Sequence, residues 1–239
     1  MDYYCFCCCT SLVALRLVTA SWDQTLNAWD LETGKIIWTA ALGGLLTSCS
    51  VSGDGKYVVS SSDLENAICL TSADTGERLF HIKGEDNTHY ITHYTQSLGC
   101  THTNVISNCC FTANGRYLCT ASWDKTLQLW DVQTGTFRSH GGLTLSKGHD
   151  GSVSSCTFSE DASVLVSGAY DRTVAVWDMD ALCKTLELKG HVDWVTDVAI
   201  SADKKWVASA SKSSMEESEQ QPQTQELAEL YKLAQRVHW

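Results

Sequence analysis

The chain has 239 residues, 44% of them hydrophobic, enough to bury a core in one or two domains. Its formal net charge is −11. A phosphate backbone or anionic membrane surface would repel it, and no Lys/Arg cluster offsets this, so neither nucleic acid nor membrane is expected as a partner.

The first sixteen residues, MDYYCFCCCTSLVALR, are apolar, but Asp2 precedes any Lys or Arg, the wrong charge for a signal peptide. No stretch approaches the roughly 18 apolar residues of a membrane span. The twelve cysteines include the neighbours Cys7, Cys8 and Cys9, and Cys109 and Cys110. This clustering is not a disulfide framework, and two C-x-x-C pairs, as a structural zinc site needs, are not present. Reduced thiols in an intracellular protein, cytoplasmic or nuclear, are expected, with no metal and no cofactor.

From Leu17 a pattern begins that returns twice: LVTASWDQTLNAWD from Leu17, LCTASWDKTLQLWD from Leu118 and LVSGAYDRTVAVWD from Leu165. Each is an apolar strand, a turn at Asp, and a second strand ending in Trp-Asp. The alternation has period 2, which is β and not helical. In chain order, the first unit is expected over residues 12–42, with its opening strand and Gly-His lost. The second, over 43–84, keeps its strands around Val51 and Val58, but Leu42 fills the His slot and ICLTSADTG replaces the Trp-Asp stretch. Residues 85–101 fit no unit and read as an irregular polar insert. Its His89 and His93, with His102, Glu85 and Asp86, could be imagined as a metal site, but an exposed loop explains them. The third and fourth units span 100–148 and 149–190. His102 and His149 each stand 22 residues before the turn Asp and 28 before the Trp. A partial fifth, over 191–211, opens on His191 and then stops, with Ser213 and Glu219 where Asp and Trp are due. The remaining residues, 212–239, form a polar non-repeat tail in which Leu227, Leu230, Tyr231 and Ala234 predict a helical stripe.

Units of about 40 residues with Gly-His near the start and Trp-Asp near the end resemble the WD40 family. The resemblance implies an all-β propeller of four-stranded antiparallel blades, about four of them recognisable here, as a partial or open ring. It also implies two hydrogen-bonded structural sets: His102, Thr120, Asp124 and Trp130; and His149, Ser167, Asp171 and Trp177. Thr19, Asp23 and Trp29 form a partial set, as do His191 and Ser209. A His-Ser-Asp trio could be mistaken for a hydrolase triad, but this one repeats with the unit, which marks it as structural. No catalytic residue is expected.

The resemblance implies a scaffold that binds other proteins. Trp22, Trp123 and Tyr170, just before the turn Asp, with Arg172 and Trp194 near the blade mouths, are candidate interface residues of the types that anchor such contacts. Two alternatives come from other classes. Residues 27–44 also resemble a quinoprotein repeat through Ala28, Asp30, Thr33, Gly34, Lys35 and Trp38, which would imply a quinone-dependent enzyme. The full pattern occurs once, whereas such an enzyme should repeat it in most blades. Acylation of Cys7–Cys9 would instead give a lipid-anchored peripheral scaffold.

Overall fold

A computed structural model describes residues 5–11, 15–63, 67–82, 102–132, 136–137, 144–145, 148–212 and 235–236. The described residues form strands, turns and bends, with no helix. Five antiparallel sheets follow one another along the chain.

Blade A is β1(Cys5–Ser11), β2(Arg16–Ser21), β3(Thr25–Asp30) and β4(Ile36–Ala41). Blade B is β5(Leu46–Val51), β6(Tyr57–Ser62), β7(Ala67–Ser72) and β8(Arg78–Ile82). Blade C contains β9(Ile106–Phe111), β10(Tyr117–Ser122) and β11(Leu127–Asp131). Its outer edge is two short pieces, β12(Thr136–Phe137) and β13(Thr144–Leu145), each paired with β11. Blade D is β14(Val153–Phe158), β15(Val164–Ala169), β16(Thr173–Asp178) and β17(Cys183–Lys189). Blade E has β18(Val195–Ile200), β19(Trp206–Ser211) and the two-residue β20(Gln235–Arg236).

The first strand of each blade packs on the first strand of the next, from β1 through β5, β9 and β14 to β18. Among the described residues β18 and β1 share no packed interface, so the blades form an open row. Burial follows from this. In the inner blades, β6, β10, β11 and β15 are buried on nearly every residue, because another blade covers each face. At the ends, β2, β3, β18 and β19 show buried positions interrupted by partly or fully exposed ones, because one face is uncovered.

The core is accordingly four slabs, one per blade interface. Leu26 and Ala28 meet Leu46 and Val58 between A and B. Ile68 meets Ile106 and Trp130 between B and C. Leu127 and Leu129 meet Leu165 and Trp177 between C and D. Between D and E the slab is mostly valine, with Val166 and Val176 against Val195 and Val198.

Hydroxyls at the second position of the inner strands pin the row. Thr47 donates to the Ile106 carbonyl, Ser107 to the Val153 carbonyl and Ser154 to the Val195 carbonyl, each at 2.6 Å. A buried carbonyl at the start of each next blade is thereby satisfied across the interface.

One expectation needs correction. The first unit has not lost its opening strand: Cys5–Ser11 pairs with β2 along its length, so the blade starts ahead of residue 12. What is missing is the Gly-His, and a cysteine run hid the strand because buried cysteine packs as a small hydrophobe. In the tail, Gln235 and Arg236 pair with Val207 and Trp206 as a short strand. The stripe at Leu227, Leu230, Tyr231 and Ala234 lies outside the described residues, as does the insert with His89 and His93.

Candidate functional site

Each complete blade set is built where the turn after the second strand meets the blade's opening. In blade C, His102 Nδ1 is 2.8 Å from Asp124 Oδ2, and its Nε2 is 2.8 Å from Thr120 Oγ1. Trp130 Nε1 donates to the same Thr120 oxygen at 3.0 Å. Blade D repeats this geometry. His149 lies 3.0 Å from Asp171 Oδ2 and 2.8 Å from Ser167 Oγ, and the Trp177 indole donates to Ser167 at 2.9 Å. One arrangement gives every donor an acceptor: indole N–H to hydroxyl oxygen, hydroxyl to Nε2, Nδ1–H to carboxylate. The buried indole could not otherwise be satisfied without water.

The spacing pattern does not single out Thr126 and Thr173, yet each completes a set. Thr126 donates to Asp124 Oδ1 through its backbone N–H at 2.9 Å and its hydroxyl at 2.6 Å. Thr173 does the same to Asp171 at 3.0 and 2.7 Å. The signal was present as Asp-x-Thr, found also at Asp23 and Thr25, whose bonds are 2.9 and 2.6 Å. The intervening Gln24, Lys125 and Arg172 take left-handed φ values of 72°, 73° and 70°, which turn the chain back under the carboxylate.

Burial alone would raise the Asp124 carboxyl. The His102 bond and charge, with the Thr126 and Thr103 bonds, outweigh it and hold the group down to about 2. For Asp171, burial is likewise outweighed, by His149 and Thr173, and the carboxyl lies well below its usual range. The Gly-His spelling has a steric cause: a Cβ on Gly148 would stand 2.0 Å from the Trp177 ring.

The other sets are incomplete. In blade A the Trp29 indole donates to Thr19 at 2.9 Å, with no His in the set. In blade E His191 Nε2 is 2.7 Å from Ser209 Oγ, with neither Asp nor Trp added, and burial lowers its imidazole. In blade B, Ser60 occupies the strand position that Thr120 and Ser167 hold, fourth in its strand. Among the described residues its buried hydroxyl has no hydrogen-bond partner, and Thr71 stands where the other blades place Trp.

The candidate interface residues lie at one end of the blades. Trp22, Trp123 and Tyr170 directly follow β2, β10 and β15, and Trp194 directly precedes β18. Antiparallel pairing places the start of a first strand beside the end of the second. Trp22, Trp123 and Trp194 are 41%, 42% and 48% exposed. Tyr170 is half-buried and stacks on Trp194 across blades D and E, with ring centroids 4.7 Å apart and planes 14° from parallel. Arg172 is exposed in the adjoining turn. It lines a cleft of about 390 Å³ with Asp150, Lys184, Glu187, Lys189 and His191.

The single quinoprotein-like stretch serves packing. Asp30 Oδ1 accepts the Glu32 and Thr33 N–H groups, and Gly34 turns the chain at φ 67°. Trp38 donates to the Ala73 carbonyl at 2.8 Å and lies over Gly76, where a Cβ would come within 2.8 Å of the ring. Of the triple cysteine, Cys7 and Cys9 are half-buried against Cys49, and Cys8 is exposed.

A family model described as WD domain, G-beta repeat matches residues 94–131, 134–178 and 182–215. The chain carries WD repeats. The human WD repeat-containing protein 88 is 43% identical over 95 residues, covering 40% of this chain and 17% of that protein. A guanine nucleotide-binding protein subunit beta from Dictyostelium discoideum is 30% identical over 137 residues, 55% of this chain and 35% of its own length. The small ribosomal subunit protein RACK1 of Saccharomyces cerevisiae is 56% identical over 34 residues, 14% of this chain and 11% of that protein. The chain thus spans a minor part of these relatives. The matched repeats include blades C and D, which hold both complete sets.

Proposed function

We propose that this WD-repeat chain is a non-catalytic scaffold that binds other proteins through the end of the blades bearing Trp22, Trp123, Tyr170, Arg172 and Trp194. One observation carries the reading: three tryptophans more than 40% exposed share that end, one of them stacked on Tyr170 across a blade boundary. Exposed aromatics and Arg supply most of the energy at protein interfaces, and rigid placement lowers the entropic cost of binding. One relative is named as a small ribosomal subunit protein and another as a guanine nucleotide-binding protein subunit, which accords with a part in assemblies. The carboxylates of the His-Asp sets are spent on internal bonds and are not free to act on a substrate. An intracellular setting fits a chain whose described cysteines are free thiols.

The test is affinity capture with quantitative mass spectrometry, comparing the wild-type chain with a Trp123→Ala, Trp194→Ala double variant whose fold is checked by circular dichroism. Proteins enriched by the wild type should fall at least tenfold on the variant. Unchanged enrichment would remove this end from the interface.

A further inference from the structure

Blades C and D meet around three thiols that take no part in the hydrogen-bonded sets. Cys110 on β9 faces Cys156 on β14 with the sulfurs 3.5 Å apart. Cys119 on β10 is the register partner of Cys110, and the Cys156 thiol also reaches Asn108 Oδ1 at 3.6 Å. Cys119 and Cys156 are buried, while Cys110 keeps partial exposure.

We propose that Cys110 and Cys156 are a redox modification site that takes a low-molecular-weight disulfide such as oxidised glutathione and ends as a covalent bond between blades C and D. Cys110 is the attacking group because it alone of the three keeps partial exposure. Its contacts with the neighbouring Cys119 and Cys156 thiols outweigh burial and hold its thiol below the usual range. Its thiolate attacks one sulfur of the reagent, and the released thiolate takes up the proton Cys110 has lost. Cys156 then attacks the Cys110 sulfur of the mixed disulfide, releasing a second small thiol that carries off the Cys156 proton. Two protein thiols are oxidised by two electrons and one reagent disulfide becomes two thiols. The sulfurs need only close from 3.5 Å to about 2.05 Å. The Cys9 and Cys49 sulfurs stand at the same 3.5 Å between blades A and B. There the Cys7 bond lowers Cys49, but the Cys9 bond and burial outweigh it and push the thiol well above its usual range.

The experiment exposes the full folded chain to oxidised glutathione, quenches with acid, alkylates remaining thiols after unfolding, and maps unreduced peptides by mass spectrometry. Expected is a Cys110–Cys156 linked pair, lighter than its two parts by two hydrogen atoms. Adducts confined to the exposed Cys8 and Cys183, with Cys110 and Cys156 still alkylated, would overturn the proposal. Cys156→Ser should trap Cys110 as the glutathione adduct, and a folded variant whose Cys110 stays unmodified would also overturn it.

Discussion

His191 and Ser209 keep, at 2.7 Å, the same hydrogen bond that His149 makes with Ser167 at 2.8 Å, but in blade E it stands without the Asp and Trp. The bond survives because both partners sit on the opening turn and second strand, which blade E retains. Its energetic weight should differ. His149→Ala removes one donor from the half-buried Asp171 carboxylate and the acceptor of the buried Ser167 hydroxyl, and should cost about 2–3 kcal/mol, whereas His191→Ala should cost about 1 kcal/mol or less. Chemical denaturation followed by tryptophan fluorescence measures both, and equal losses would contradict the assignment of blade D as the bonded unit.

Ser60 and Ser167 offer a matched pair. Ser167→Ala leaves the Trp177 indole and the His149 ring without their shared partner, and should cost about 1–3 kcal/mol. Ser60→Ala deletes a hydroxyl that already has no partner, so stability should hold within about 0.5 kcal/mol or rise. The same denaturation series decides it.

The turn aspartates make the fold acid-sensitive. The Asp124 carboxyl is held at about 2 when folded and near 3.9 when unfolded, so ionisation favours the folded state. That contribution, about 2 kcal/mol, is fully present above pH about 4 and is lost as pH falls through about 2. Asp124→Asn should therefore be clearly less stable than wild type at pH 7, with the gap narrowing by pH 3. Urea titrations at both values check this, and a gap that widens towards low pH would reverse the sign.

Two polar links join blades D and E and should rank in a fixed order. Ser154 Oγ donates to the Val195 carbonyl at 2.6 Å and lies 2.9 Å from the Gly168 carbonyl of its own blade, in a partly buried seam. Lys204 bonds Asp161 at 2.6 Å on the rim, where side chains 34% and 51% exposed are screened by salt. Ser154→Ala should cost about 1 kcal/mol at any ionic strength. Lys204→Ala should cost less, and nothing measurable in 1 M salt.

The bonded sets were legible because their members recur at constant separations along the chain, as His102, Asp124 and Trp130 do. The threonines under the aspartates were spelled in the same repeat, at Thr25, Thr126 and Thr173, but threonine is common enough in strands that its role shows only in the turn geometry. The first strand of blade A was obscured by its cysteines and by the absent Gly-His. The links from Thr47, Ser107 and Ser154 cross from one unit to the next, so nothing within a unit announces them. Trp22, Trp123 and Trp194 could be picked out by residue type and place, while their exposure had to come from the packed blades.

The open row of blades also sets how the molecule comes apart. Each interior slab of side chains belongs to one pair of neighbours, so stability adds up along a line instead of closing on itself. Blade E, with one wet face and a third strand of two residues, leaves by giving up a single slab, whereas blade D gives up two. Amide exchange should therefore be fastest in β18 and β19 and slowest in β15 and β10, melting inward as a frayed stack does.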